Sequence, residues 1–218
     1  MRTVCWSVKG GSGTTVAATA IALLLGRRSP VPAMLLDLGG DVTSVLGIES
    51  AEFGLDDWLG SPDAVGTDAL DGLAIEAGPG LRVLPGARER APLRASRIAS
   101  LVGWMNSQTG PVVVDLGVRR RRDLLADAIF DGSDRSLLVT RACYLSLHHA
   151  TTASYRPTGV VLVREPGRAL DEADVEASLG VPVVASVDLD PAVARAVDAG
   201  LLNTRLPRPL ARSLRNAA

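Results

Sequence analysis

Short aliphatic runs alternate with helical stretches along almost the whole chain, and this alternation leaves few folds open to it. Strand-like runs occupy residues 4–8, 33–36, 112–115, 136–140, 159–163 and 181–187, and helix patterns cover 14–27, 93–108, 123–130, 145–153, 172–179 and 192–199. A run of consecutive aliphatics buries both faces of a strand, as in a parallel sheet covered by helices on each side. Strand–helix–strand units of this kind join by right-handed crossovers. The pattern therefore predicts a three-layer α/β/α domain with a mainly parallel, doubly wound sheet. Residues 54–86 are less regular, with short helices expected at 55–59 and 62–70 and short strands at 73–76 and 81–84. A short helix is expected at 210–216. No linker or repeat interrupts the alternation, so the 218 residues read as a single domain. Aromatic residues make up only 3% of the chain against 47% hydrophobic, so Val, Leu, Ile and Ala must fill the interior.

Lys9 is the only lysine, because the 23 cationic side chains include 22 arginines. It follows the first strand and opens the run Lys9-Gly10-Gly11-Ser12-Gly13-Thr14-Thr15. A bias toward arginine codons accounts for the arginines but not for where the surviving lysine stands. Lysine is a compact point charge that fits against a phosphate in a confined space. A glycine-rich turn between a strand and a helix aims several backbone N–H groups at one point, and the helix N-terminus adds partial positive charge. Glycine suits this turn because the backbone must approach phosphate oxygens closely.

In sheets of this kind the ligand lies beyond the carboxyl ends of the strands. Lys9, Asp37, Asp115 and Arg141 all follow strands and share that rim. Thr15, at the helix start, is placed to ligate Mg²⁺, and Asp115 supplies the carboxylate that the ion's water shell wants. A net charge of −1 argues against global attraction to nucleic acid or anionic membrane. Cys5 and Cys143 have no metal-ligand spacing, and Cys5 reads as a buried small hydrophobe. The apolar run 16–25 is too short to cross a bilayer, and no leader pattern precedes the first strand. The expected location is the cytoplasm.

Lys9-Gly10-Gly11-Ser12-Gly13-Thr14-Thr15 resembles the deviant Walker A motif of the ParA/MinD ATPases, a branch of the P-loop NTPases whose pattern is Lys-Gly-Gly-x-Gly-Lys-Thr-Thr. Leu35-Leu36-Asp37-Leu38 resembles the family's second-strand motif, and Val112-Val113-Val114-Asp115 its Walker B strand. Leu145-Ser146-Leu147 is similar to the segment carrying a conserved Ser, and Asp190-Pro191-Ala192-Val193 to the late segment near the adenine. The resemblance implies ATP or ADP with Mg²⁺ as ligands, bound by Lys9, Gly10, Gly11, Ser12, Gly13, Thr14, Thr15, Asp190 and Pro191. It implies Thr15, Asp37 and Asp115 around the metal, partly through water. It also implies a homodimer in which Lys9 reaches the partner's phosphates.

Two positions depart from the pattern. Thr14 stands where the family has the loop lysine, and Gly39 where a second carboxylate would orient the attacking water. Loss of a charge-assisted hydrogen bond removes about one to two decades of affinity. Loss of the carboxylate weakens a step that consists mostly of positioning. Asp37 and Asp41 are the remaining candidates for a catalytic role, Asp41 by reaching across the short loop. The Thr-bearing loop is similar to that of CpaE/TadZ-like proteins, which localise pilus machinery, as are Gly40-Asp41-Val42 and Gly54-Leu55-Asp56-Asp57-Trp58-Leu59. Those proteins usually carry a receiver-like domain that is not among these residues.

The basic patch Arg119-Arg120-Arg121-Arg122 is open to three readings: a solvated helix start, a replacement for the missing phosphate charge, or a DNA contact. The tail residues Arg205, Arg208, Arg212 and Arg215 surround only three large apolar anchors, Leu206, Leu210 and Leu214, too few for stable membrane anchoring by themselves. Packing of the tail on the domain is expected instead. His148 and His149 read as ordinary core or surface residues. The preferred reading is an ATP-dependent, dimerising scaffold or switch that positions protein partners of a pilus or secretion system, with weak or no hydrolysis. The alternatives are an active partitioning ATPase that grips DNA, the less favoured partner, and an interaction module that has lost nucleotide.

Overall fold

The computed structural model describes residues 1–49, 51–62, 64–86 and 93–218. Eight strands form one sheet: β1 (Arg2–Ser7), β2 (Ala33–Asp37), β3 (Ile75–Glu76), β4 (Leu81–Leu84), β5 (Val112–Val118), β6 (Arg135–Arg141), β7 (Gly159–Arg164) and β8 (Val183–Asp188). Their order is β3-β4-β2-β5-β1-β6-β7-β8. Every pairing is parallel except the short β3–β4 edge. β1 lies between β5 and β6, where the direction of winding reverses, and its C-terminal end feeds the glycine loop. The three-layer, mainly parallel α/β/α fold expected from the alternation is the fold observed.

The helices are α1 (Thr14–Gly26), α2 (Val42–Leu46), α3 (Leu55–Gly60), α4 (Asp68–Leu73), α5 (Ala95–Ser107), α6 (Leu124–Asp131), α7 (Tyr144–Thr152), α8 (Glu172–Leu179), α9 (Pro191–Asp198) and α10 (Arg208–Ser213), followed by a 3₁₀ turn at Leu214–Asn216. Successive strand residues point to opposite layers, as the period of two requires. Cys5, Leu35, Val113, Leu137 and Val139 pack with α1, α2, α9 and the tail. Val4, Trp6, Leu36, Val114 and Leu138 pack with α3, α4, α5 and α6. With both faces covered, the strands carry no polar stripe, which is why they read as continuous aliphatic runs.

The irregular stretch departs most from expectation. The helix expected at 62–70 forms instead at Asp68–Leu73, and position 63 lies outside the described residues. The following strand shrinks to Ile75–Glu76. Arg97 of α5 organises this region. Its guanidinium lies 3.6 Å over the Trp58 ring and donates to the Trp58 and Val65 carbonyls and to Ser61 Oγ. Arg97 is only 3% exposed, so a cation fixes the approach of Trp58, Ser61 and Val65 to α5. The tail also packs inward, with Leu210 and Leu214 buried and Arg28 donating to the Arg215 carbonyl.

Candidate functional site

The loop after β1 bends through Gly11 (φ 73°) and Gly13 (φ 87°), left-handed conformations that favour glycine. Ser12 Oγ donates to the Lys9 carbonyl and closes the turn at 2.7 Å. The backbone N–H groups of Gly11, Ser12, Gly13 and Thr14 have no acceptor among the described residues. A Cβ on Gly10 would meet nothing within 4 Å. The result is an open nest of donors at the N-terminus of α1, the arrangement that binds phosphate. It opens into a cavity of about 590 Å³ lined by Gly10, Gly11, Ser12, Gly13, Thr14, Thr15 and Val16. Gly39, Asp41, Ser44, Val45, Gly117, Val118, Val197 and Asp198 complete the wall together with Ser7.

Asp115 ends the regular part of β5 with no solvent exposure, and its Oδ2 makes no hydrogen bond of ordinary geometry among the described residues. Burial pushes its carboxyl up to about 6. The Thr15 hydroxyl and the Gly117 N–H oppose the rise, while the charges of Asp37 and Asp41 add to it. An orphaned carboxylate oxygen beside a hydroxyl and a phosphate nest fits a water-clad Mg²⁺, whose bound waters would donate to it. Among the described residues no group of three or more His, Cys, Asp or Glu side chains forms a metal cage. That also suits an ion held largely by water and phosphate.

Asp37 has a different use. Its Oδ1 accepts the Gly39 and Gly40 N–H groups at 3.1 and 2.6 Å, and its Oδ2 accepts Val42 N–H at 3.0 Å. The carboxylate builds the turn into α2, although burial still raises its pKa. Asp41, rather than Asp37, lines the cavity. At Gly39, a Cβ would stand 2.7 Å from Asp115 Oδ2. The position where a second carboxylate was expected therefore has no room for a side chain unless Asp115 turns away.

Other expected site residues are distributed differently. Asp190 is the N-cap of α9, accepting the Ala192 N–H at 2.7 Å, and Pro191 is its first residue. Neither lines the cavity; Val197 and Asp198, from the far end of the helix, do. The cap consumes the Asp190 side chain, which sequence likeness alone does not reveal. Lys9 is exposed and outside the cavity wall. Ser146 is buried and accepts from Cys143 Sγ. Arg119, Arg120 and Arg121 line a separate cavity of about 370 Å³. Arg119 pairs with Asp123 and Arg122 with Asp127, so half of the run is tied to α6. Arg141, which the sequence placed on the same rim without a role, also stands against the loop. A Cβ on Gly11 would lie 3.9 Å from Arg141 Nη2.

No family model and no curated protein sequence matches the chain. Solved structures do match it over nearly their full length. A ParA family ATPase from Chlorobium tepidum TLS is 18% identical, with a TM-score of 0.79 over 98% of this chain and 96% of that one. The cell division ATPase MinD of Pyrococcus furiosus is 19% identical, with a TM-score of 0.76 over 100% and 99%. The septum site-determining protein MinD of Pyrococcus horikoshii OT3, solved with Mg-ADP, is 17% identical, with a TM-score of 0.75 over 98% and 93%. A phosphate-type nest at the end of β1 and an orphaned acid at the end of β5 thus stand on a backbone that has the fold of the ParA- and MinD-type ATPases.

Proposed function

We propose that the chain is a nucleotide-binding switch of the ParA/MinD kind. It binds ATP or ADP in the loop at residues 10–15, and Thr15 with Asp115 holds Mg²⁺, Asp115 through water. The metal would neutralise phosphate charge in the bound nucleotide. One observation carries this reading: an open nest of unpartnered N–H groups lines a cavity of nucleotide size, and the buried Asp115 carboxylate lies directly behind Gly39 and Gly117 of its wall, with one oxygen lacking a partner of ordinary geometry. The Mg-ADP held by the Pyrococcus horikoshii MinD supports it.

Hydrolysis is weak or absent, because Thr14 replaces the loop lysine and Gly39 supplies no second carboxylate, leaving Asp41 as the candidate to orient an attacking water. Lys9, exposed beside the loop, acts across a homodimer, so the dimer rather than turnover is the output. The product is a scaffold that positions protein partners, of the pilus-localising type that the Thr-bearing loop resembles. It works in the cytoplasm. Among the described residues no helix is long and apolar enough to cross a membrane.

Calorimetric titration with ATP and Mg²⁺ tests the binding, and light scattering of the same mixtures tests the dimer. Saturable binding with dimerisation lost in Lys9→Ala is the expected result. No heat of binding at millimolar nucleotide would remove the proposal.

A further inference from the structure

We propose that Arg141 supplies, within the same subunit, the phosphate-directed charge that the loop lacks at Thr14. This rests on the reading that the loop binds nucleotide, and it names the residue that makes such binding affordable in this chain.

β6 pairs with β1, so its last residue, Arg141, emerges beside the start of the glycine loop. The guanidinium stands against Gly11, itself part of the cavity wall, with Nη2 3.9 Å from where a Cβ on that glycine would be. Nη1 is held by Glu165 Oε1 at 2.5 Å. Nη2 makes no hydrogen bond among the described residues, and Nε is buried without a partner. The fork is thus anchored on one nitrogen and unsatisfied on the others. An arginine otherwise saturates its fixed set of five donors.

Glu165 does not cancel this charge. Its other oxygen is taken by Arg168 at 2.5 Å, so one carboxylate serves two guanidinium groups and the triad keeps a net positive charge. The Arg141 side chain is 37% exposed, which leaves it free to turn toward an anion in the loop. The other cations are worse placed. Arg119, Arg120 and Arg121 line a different cavity, and no Lys9 atom comes within 4 Å of a Cβ on Gly11, where Arg141 Nη2 does. Thr14, by contrast, is buried at the helix start. A cation entering from the neighbouring strand serves the same phosphate from outside the loop, so position 14 no longer needs one.

The test is a double-mutant cycle read as Mg-ATP affinity by calorimetry, with thermal unfolding to confirm that each variant is folded. Arg141→Ala should weaken binding by about 10- to 100-fold, the worth of one charge-assisted hydrogen bond. Arg141→Lys should recover most of that loss. Thr14→Lys should restore affinity in the Arg141→Ala background and add much less to the wild type. If Arg141→Ala does not fold, Arg141→Gln takes its place in the cycle. Unchanged affinity in the Arg141 variants, or an equal gain from Thr14→Lys in both backgrounds, overturns the assignment while nucleotide binding stands. Wild-type protein that binds no Mg-ATP at millimolar concentration removes the nucleotide reading itself, and the role of Arg141 with it.

Discussion

Asp37 and Asp115 end neighbouring strands in direct register, and both are almost completely buried, yet their surroundings give them opposite uses. The strand end at Asp37 turns back on itself, so three backbone N–H groups converge on one carboxylate. Beyond Asp115 the strand runs on through a bulge to Gly117 and Val118, which leaves one oxygen without a backbone donor and with no hydrogen bond of ordinary geometry among the described residues. One carboxylate is engaged by backbone donors at both oxygens, and the other keeps an oxygen without a partner of ordinary geometry. Residue type and burial are the same in the two places; the difference is where the next few amides point.

Removing Asp37 should cost the most. Asp37→Ala strips three N–H groups of their acceptor and is expected to destabilise the protein by about 3 kcal/mol, lowering the thermal midpoint by about 6–12 °C. Asp115→Ala should leave stability nearly unchanged in chemical denaturation, while impairing Mg²⁺-dependent nucleotide binding. Equal destabilisation by the two variants would erase the contrast.

Gly39→Ala drives a Cβ to 2.7 Å from Asp115 Oδ2, an overpacking that costs about 1–3 kcal/mol. Combining it with Asp115→Ala should remove most of that cost. Additive urea midpoints would show that the crowding lies elsewhere.

A smaller effect comes from pH. The Asp115 carboxyl is pushed up to about 6 by burial, so the folded state holds its proton more tightly than the unfolded chain does. Its contribution to stability is complete below the ordinary carboxylate range near pH 4 and is lost as pH rises through about 6. Between pH 7 and 5 the nucleotide-free protein should therefore gain about 1 kcal/mol over Asp115→Asn in urea titrations. A constant difference would mean that Asp115 titrates as an exposed acid does.

The smallest expected change concerns the chain beyond β5. Arg120 and Arg121 are exposed and make no ion pair among the described residues. Replacing both with alanine should move stability by less than about 0.5 kcal/mol. If the same pair abolishes salt-sensitive retention of DNA, the disfavoured DNA-binding reading gains at the expense of the scaffold.

The fold was legible because each strand is buried on both faces and each crossover helix has its own punctuation. The glycine loop was legible because its conformation is local. Between residues 54 and 86 that logic fails. β3 exists because Ile75 pairs with Val83 across an antiparallel edge, and Arg97 fixes Trp58 and Val65 from a helix more than 30 positions later. Neither relation leaves a periodic trace. The three backbone donors that converge on Asp37 were hidden for a similar reason, since they follow from a turn geometry that the residue letters do not display.

By itself, the sequence determined the layered α/β architecture, the place of the glycine loop, and the residue types at positions 14 and 39. These are matters of residue type and local backbone freedom. Only the tertiary structure decided which acid is free, why Gly39 admits no side chain, and that Arg141 rather than the arginine run stands against the loop. Those relations depend on which strands become neighbours, and in a parallel sheet the neighbours are drawn from distant parts of the chain.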